Sequence, residues 1–240
     1  MSAKLKYFII IWTIVSISFW GIYSIFVEYI ALGLYMPLFF GLIAVPEYFK
    51  KDSIEKRVKN WKLKPLLKFM ILGYFMVLLE EVIAGIVNHL LEVNQFSEKF
   101  SLVMMITRIL QYQFFNLFAF TGLIFGIYIS IKIFNYSRKE MLFVAGLWGL
   151  YVEKVVSQVV INPAYVILTI IPTILIYAAI IYPSLLSIDF PKQKSKLNNI
   201  LKYILTLIII YISCVIPMLI VSIVRTNYPF LFPPERLLGM

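Results

Sequence analysis

Long apolar stretches alternate with short polar ones along nearly all of the 240 residues. An apolar stretch of about 18 residues or more is long enough to cross a bilayer as an α-helix. We therefore predict a single integral membrane domain over residues 1–240, an all-α bundle with about seven membrane-spanning helices. The predicted spans are 7–26, 29–45, 66–91, 113–132, 141–160, 164–186 and 201–223.

The second span and three segments between or after the spans need separate interpretation. The second span is short, which favours a thin or partly re-entrant helix, and residues 47–65 mix lysines with aromatics, as in an amphipathic segment lying on a membrane surface. Residues 97–112 either extend the fourth span or lie along the outer surface. The proline-interrupted tail from Arg225 is predicted to be short and non-helical.

Composition supports a membrane location, since 62% of the residues are hydrophobic and 14% are charged. A soluble domain is about half apolar and a quarter charged, so a soluble enzyme is excluded. The net charge of +10 would suit nucleic acid, but the basic residues are concentrated between spans. They form four groups, at Lys4 and Lys6, from Lys50 to Lys68, from Lys132 to Lys139 and from Lys192 to Lys202.

With seven spans, all four basic groups fall on one side, which the positive-inside rule makes cytoplasmic. We therefore predict a multi-pass protein of the cell membrane, with its N-terminus in the cytoplasm and its C-terminus outside. The expected partners of the basic groups are membrane lipids, and no nucleic acid is expected.

The chain has one cysteine, Cys214, and one histidine, His89. Within one chain this excludes a disulfide, a bis-histidine haem, an iron–sulfur cluster and a zinc site of three histidines. We expect no cofactor and no bound zinc.

Polar residues inside the spans are the candidate functional residues, because an ionisable group near the bilayer centre costs about 3 kcal/mol or more. Three acids are predicted to be catalytic: Glu80, Glu81 and Glu153. Six further polar residues are predicted to bind substrate or an ion: Asn88, His89, Arg108, Gln111, Gln113 and Lys154.

Helical spacing places Glu81, Gly85 and Asn88 on one stripe of the third span, and Gly149 and Glu153 on a similar stripe of the fifth. Small residues let helices approach closely. We therefore expect these two faces to pack together and bring Glu81 near Glu153.

Two interpretations of the acids remain open. In the structural one, the acids pair with Lys154 and Arg108 and only fix how the bundle packs. In the functional one, they line a water-filled cavity and hold a proton, a cation or a catalytic water, because adjacent buried carboxylates cannot both stay ionised.

The sequence around Glu80 and Glu81 resembles the CAAX prenyl endopeptidase and bacteriocin-processing family of intramembrane proteases. That family has Glu-Glu-x-x-x-Arg on one helix, Phe-x-x-x-His on a second, a glycine-spaced helix, and His-x-x-x-Asn or a variant on a last one. Residues 80–85 supply the two acids, with Gly85 in place of arginine, and residues 120–128 are similar to the glycine-spaced helix.

The resemblance covers residues 66–160 at most and lacks the family's histidines. At the expected positions the chain has Gln111 or Gln113, and then Gly149 followed by Glu153. In the family the glutamates activate water. The resemblance implies a divergent or inactive endopeptidase in which only the two adjacent glutamates are carried over, acting on a peptide or prenylated substrate.

Two other functional classes remain. In an ion- or proton-coupled transporter or channel, the glutamates and Lys154 would bind and release an ionic substrate. In a non-catalytic membrane subunit, the chain would anchor partner proteins.

Overall fold

The computed structural model describes residues 3–26, 30–96, 98–159, 161–190, 198–234 and 237. Every regular element within these ranges is helical. The α-helices are α1 (Ala3–Phe26), α2 (Ile30–Phe39), α3 (Val45–Asn60), α4 (Pro65–Gln95), α5 (Leu102–Ile133), α6 (Arg138–Val152), α7 (Pro163–Leu185) and α8 (Asn199–Asn227).

Five of these helices, α1, α4, α5, α7 and α8, are long and apolar enough to cross a membrane. The chain is thus a polytopic apolar helical protein of the kind found in membranes. The other two predicted spans are represented by α2, with 10 residues, and α6, with 15 residues, which are shorter than the ~20 that a spanning helix needs.

α2 and α3 form one continuous helical run with a π-helical turn, Phe40–Ala44, between them. Pro46 follows this turn, and a proline cannot donate the backbone hydrogen bond that a regular α-helix requires there. Residues 30–45 of the predicted short span and residues 47–60 of the polar segment therefore belong to one continuous helical run. Val58, near the end of α3, is buried against Leu72 and Leu186.

Of the two alternatives for residues 97–112, the structure supports an extension of the fourth span. This extension starts at Leu102, because α5 begins there and continues without a break to Ile133. The hydroxyl of Ser101 accepts a hydrogen bond from the backbone N–H of Met104 and caps the first turn. Its 32 residues give a length of about 48 Å.

α6 ends at Val152, so the prediction of a helix as far as residue 160 is wrong. Glu153 caps the helix, and Lys154 has a φ of 54°, in the left-handed region that an α-helix cannot continue through. Turns and a short 3₁₀-helix, Val156–Gln158, follow. The hydrophobic pattern of the sequence alone does not reveal such a break in the helix.

The glycine faces of α4 and α6 pack on different neighbours, so the predicted contact between them is wrong. A Cβ added at Gly85 would lie 2.5 Å from Cα of Ile109 on α5. One added at Gly149 would lie 2.3 Å from Cδ2 of Tyr177 on α7. Each glycine therefore allows the close approach of the helix that is adjacent along the chain.

Three of the four basic segments meet at one end of the bundle. Arg138 binds Glu55 of α3 at 3.3 Å, and Lys202 of α8 binds Glu140 of α6 at 2.6 Å. Tyr136 also joins this end, donating a 2.9 Å hydrogen bond to the backbone oxygen of Lys202. Residues 192–196 of the fourth predicted basic group lie outside the described residues.

The C-terminal tail packs at the opposite end. Gln111 and Tyr112 of α5 donate hydrogen bonds to the backbone oxygens of Phe230 and Leu237, at 2.8 and 3.3 Å. The tail also contains one 3₁₀ turn, Pro229–Leu231, where no helix was predicted.

Candidate functional site

Glu80 and Glu81 lie at the middle of α4 and are 7% and 2% exposed. Their carboxyl groups are in hydrogen-bonding contact with each other. Oε2 of Glu81 is buried and receives no hydrogen bond from an N–H or O–H group of the described residues. Two buried carboxyl groups in contact cannot both carry a full charge, so this geometry suits a pair that shares one proton.

Two neighbouring helices supply donors to the pair. The hydroxyl of Tyr35 on α2 donates to Oε1 of Glu80. The amide of Asn116 on α5 donates to Oε1 of Glu81 at 2.5 Å. Each glutamate therefore has one fixed donor, which orients its carboxyl group.

Glu153 is the third predicted acid, and it accepts a 2.8 Å hydrogen bond from the hydroxyl of Tyr177 on α7. It interacts electrostatically with both Glu80 and Glu81. Unlike the pair, Glu153 is on an exposed part of the chain. The three acids predicted from the sequence thus form one acidic cluster, brought together by α4, α6 and α7.

The break after α6 lies at about the depth of the pair. From Arg138 to Glu153 α6 rises about 22 Å, as α4 does from Pro65 to Glu80. Irregular backbone at membrane depth is tolerated where protein covers it or where it lines a water-filled cavity. Glu153 and Lys154 are exposed, so the described residues do not meet the first of these conditions.

Arg108 does not compensate the charge of the cluster, contrary to the structural interpretation of the acids. Its Nε and Nη2 bind the two carboxylate oxygens of Glu92 at 2.7 Å each, and its Nη1 donates to Gln111 at 2.8 Å. Nδ1 of His89 lies 3.5 Å from the same Glu92, and Nε2 of His89 accepts a hydrogen bond from the backbone N–H of Ser101. Arg108, Gln111 and His89 therefore belong to a second buried network, near the turn between α4 and α5.

The other three predicted binding residues lie apart from both groups of side chains. Asn88 donates to the backbone oxygen of Ala84, and Gln113 donates to that of Leu78. Lys154 is exposed, and no carboxylate of the described residues lies within ion-pair distance of it.

Sequence reasoning missed the residues that hold the acids. Tyr35 and Tyr177 lie within apolar runs of a chain with 16 tyrosines, so nothing in the pattern distinguishes them. Glu92 lies near the end of α4, where a polar residue would ordinarily face water. Asn116 carried a usable signal, because it is a polar side chain at the middle of a long apolar helix.

In the described part of the chain, no group of three or more histidine, cysteine, aspartate or glutamate residues has the arrangement of a metal site. The expected lack of zinc remains a prediction. No family model, no curated protein and no solved structure matches this chain.

Proposed function

We propose that this protein is a multi-pass membrane protein that uses the acidic cluster for hydrolysis inside the bilayer. The observation that carries the proposal is the contact between the Glu80 and Glu81 carboxyl groups at the middle of a spanning helix, with Glu153 beside them. An ionisable group at this depth is costly, so three acids gathered there indicate a function.

The chemistry follows from a pair that holds one proton. The ionised carboxylate takes a proton from a water molecule, whose oxygen then adds to the substrate carbonyl. The carboxyl group that gained this proton gives it to the leaving amine as the carbon–nitrogen bond breaks. Tyr35 and Asn116 orient the two carboxyl groups for these transfers.

The resemblance to the CAAX-type intramembrane proteases supports the same chemistry. In that family the adjacent glutamates activate water, and in this chain Glu80 and Glu81 correspond to them. Asn116 donates a hydrogen bond to Glu81, and Glu153 interacts electrostatically with Glu80. The substrate class on this proposal is a membrane-embedded peptide, with or without a prenyl group.

The proposed orientation places the basic end of the bundle in the cytoplasm. The ion pairs Arg138–Glu55 and Lys202–Glu140 gather three basic segments at that end, and lysine-rich ends favour the cytoplasmic side. The N-terminus is then inside and the C-terminus outside.

Comparison of protein N-termini in membranes of cells that express the chain tests the hydrolysis. We expect new N-termini with the native chain and none with Glu81→Gln, whose folding is checked by its thermal midpoint in detergent. Glu98→Gln is the matched control, because Glu98 lies in the turn after α4, outside the acidic cluster. New N-termini that persist in Glu81→Gln, or that never form, would refute the proposal.

A second candidate, proton or cation transport, is favoured by the break at the end of α6. Discontinuous helices at membrane depth are typical of transporter ion sites, and an exposed Glu153 beside a buried pair could pass protons inward. Proteoliposomes that contain a pH-sensitive dye test this candidate. Potential-driven acidification that is lost in both Glu153→Gln and Glu81→Gln would favour transport over hydrolysis.

A further inference from the structure

One more buried carboxyl group, besides those of the acidic cluster and Glu92, lies at the start of α3. Glu47 is 8% exposed, and its Oε1 receives no hydrogen bond from any described residue. An isolated carboxyl group in such a place is costly when it is ionised and leaves an unsatisfied acceptor. Neither the proposed hydrolysis nor the packing of the bundle uses this group.

Glu47 lines a cavity of about 160 Å³ near the basic end of the bundle. Pro183 also lines it and lies two residues before the end of α7, which places the cavity at the depth of the last turn of that helix. Val58, further along α3, packs beside Leu186, just after α7. The Glu47 end of the cavity is therefore near the level that lipid headgroups occupy, and its Leu79 wall is nearer the middle of α4.

The walls of the cavity combine two opposite charges with apolar surface. Lys50, one turn after Glu47 on α3, is exposed and also lines the cavity. The apolar wall includes Leu42 and Leu79, which are 65% and 39% exposed on the outside of the chain. A ligand that fits these walls has a cationic donor for Glu47, an anionic group for Lys50 and a hydrocarbon tail.

We propose that this cavity binds one zwitterionic lipid with a primary ammonium headgroup, namely a phosphatidylethanolamine. Its ammonium group donates hydrogen bonds to Glu47, and its phosphate pairs with Lys50. Its acyl chains leave the cavity across Leu42 and Leu79. Burial raises the pKa of Glu47 to about 8, as expected for a carboxyl group that lacks its cation.

Competing lipids make the headgroup recognition testable. A phosphatidylcholine carries a quaternary ammonium group, which has no N–H to donate and is larger. An anionic phosphatidylglycerol can pair with Lys50 and the other lysines of α3 but offers Glu47 no cation. Preferential binding of the lipid with a primary amine would therefore indicate recognition by Glu47. General binding of anionic lipids would indicate only attraction to the lysines.

The experiment uses the full chain in detergent, titrated with short-chain forms of these three lipids. Native mass spectrometry reports the retained lipid, and the thermal midpoint reports stabilisation. We expect one phosphatidylethanolamine per chain, bound about tenfold more tightly than phosphatidylcholine, since a hydrogen bond to a charged group is worth about that factor or more.

Three variants decide the outcome. Glu47→Gln should remove the preference for phosphatidylethanolamine. Lys50→Gln, at an exposed position, should weaken all phosphate-bearing lipids. Lys51→Gln is the matched control, because the Lys51 ammonium group lies 5.2 Å from the centre of the Tyr48 ring and does not line the cavity. Equal retention of the three lipids by the native chain, or a preference that survives Glu47→Gln, would overturn the proposal.

Discussion

The guanidinium group of Arg108 holds both carboxylate oxygens of Glu92, with each N···O distance at 2.7 Å. The pair joins α4 to α5 across the turn between them, and its side chains are 8% and 0% exposed. Such a two-point contact is strongly directional because the planar guanidinium group matches the carboxylate.

We expect removal of either partner alone to destabilise the protein by about 3–5 kcal/mol, because it leaves an uncompensated buried charge. Arg108→Met and Glu92→Gln should each lower the thermal midpoint in detergent. The double variant should be more stable than either single variant, since no buried charge remains. Equal, additive losses would show that the two groups do not act as a pair.

Gly149→Ala tests the packing that positions Glu153. Its added methyl group would lie 2.3 Å from the Tyr177 ring, so this ring must move and its hydrogen bond to Glu153 must weaken. We expect a loss of about 1–3 kcal/mol in the free energy of unfolding.

Gly21→Ala on α1 is the matched control for Gly149→Ala. An added Cβ at Gly21 meets nothing within 4 Å, and alanine is a better helix former than glycine. The control should be neutral or slightly stabilising. A similar thermal midpoint for both variants would contradict the packing argument.

Glu81 and Glu153 should act as one unit. Glu81→Gln and Glu153→Gln should each leave folding intact, because a neutral amide keeps the shape and removes the burial cost, and each should abolish activity. The double variant should be no worse than either single variant, since residues that act together are strongly non-additive. The yield of new protein N-termini in membranes measures this activity. Losses of yield that add up independently in the double variant would contradict a shared site, and full activity in Glu81→Gln would favour a purely structural role.

Stability should depend on pH through Glu47. Burial raises the pKa of Glu47 from 4.5 to about 8, so between these values the folded state holds a proton that the unfolded chain releases. The free energy of unfolding should therefore fall as pH rises through this window. Two other ionisable groups face Glu47: Lys50 on the same helix lines the same cavity, and Tyr182 of α7 interacts with Glu47 electrostatically.

Glu47→Gln should flatten the dependence of the thermal midpoint on pH in this window. The native chain and this variant are compared in the same detergent without lipid. An unchanged slope in the variant would show that another group controls the dependence.

Reporter fusions test the orientation. Fusions after Lys62 and Lys139 should report the cytoplasm, as should one after Lys196. Fusions after Ser97 and Arg236 should report the outside. Lys196, Ser97 and Arg236 lie outside the described residues, and an outside signal at Lys196 would contradict seven crossings.

The sequence was sufficient to predict the long helices, because a long apolar run directly indicates residues that are removed from water. It also identified the three acids of the cluster, since each interrupts such a run. It could not find the end of α6, which depends on the backbone conformation of Lys154. The same limit applies to the end of α2, where the helix changes to a π-helical turn.

Contacts between residues of different helices could not be predicted from the sequence, for a different reason. The predicted partners of Arg108 were the three acids inside the spans, but the packing of α4 on α5 pairs it with Glu92 instead. Likewise Gly85 indicates that a helix packs closely there, but the identity of that helix is a property of the whole bundle. Side-chain periodicity describes one helix at a time.

The Arg108–Glu92 pair also sets the axial register of α4 against α5. Asn116 lies eight residues after Arg108 on α5, and Glu81 lies eleven residues before Glu92 on α4, so the two meet only in this register. Sliding one helix by a single turn would move them about 5.4 Å apart along the axis and break their hydrogen bond. The alignment of the acidic cluster is thus determined by a contact more than two helical turns away, near the turn between α4 and α5.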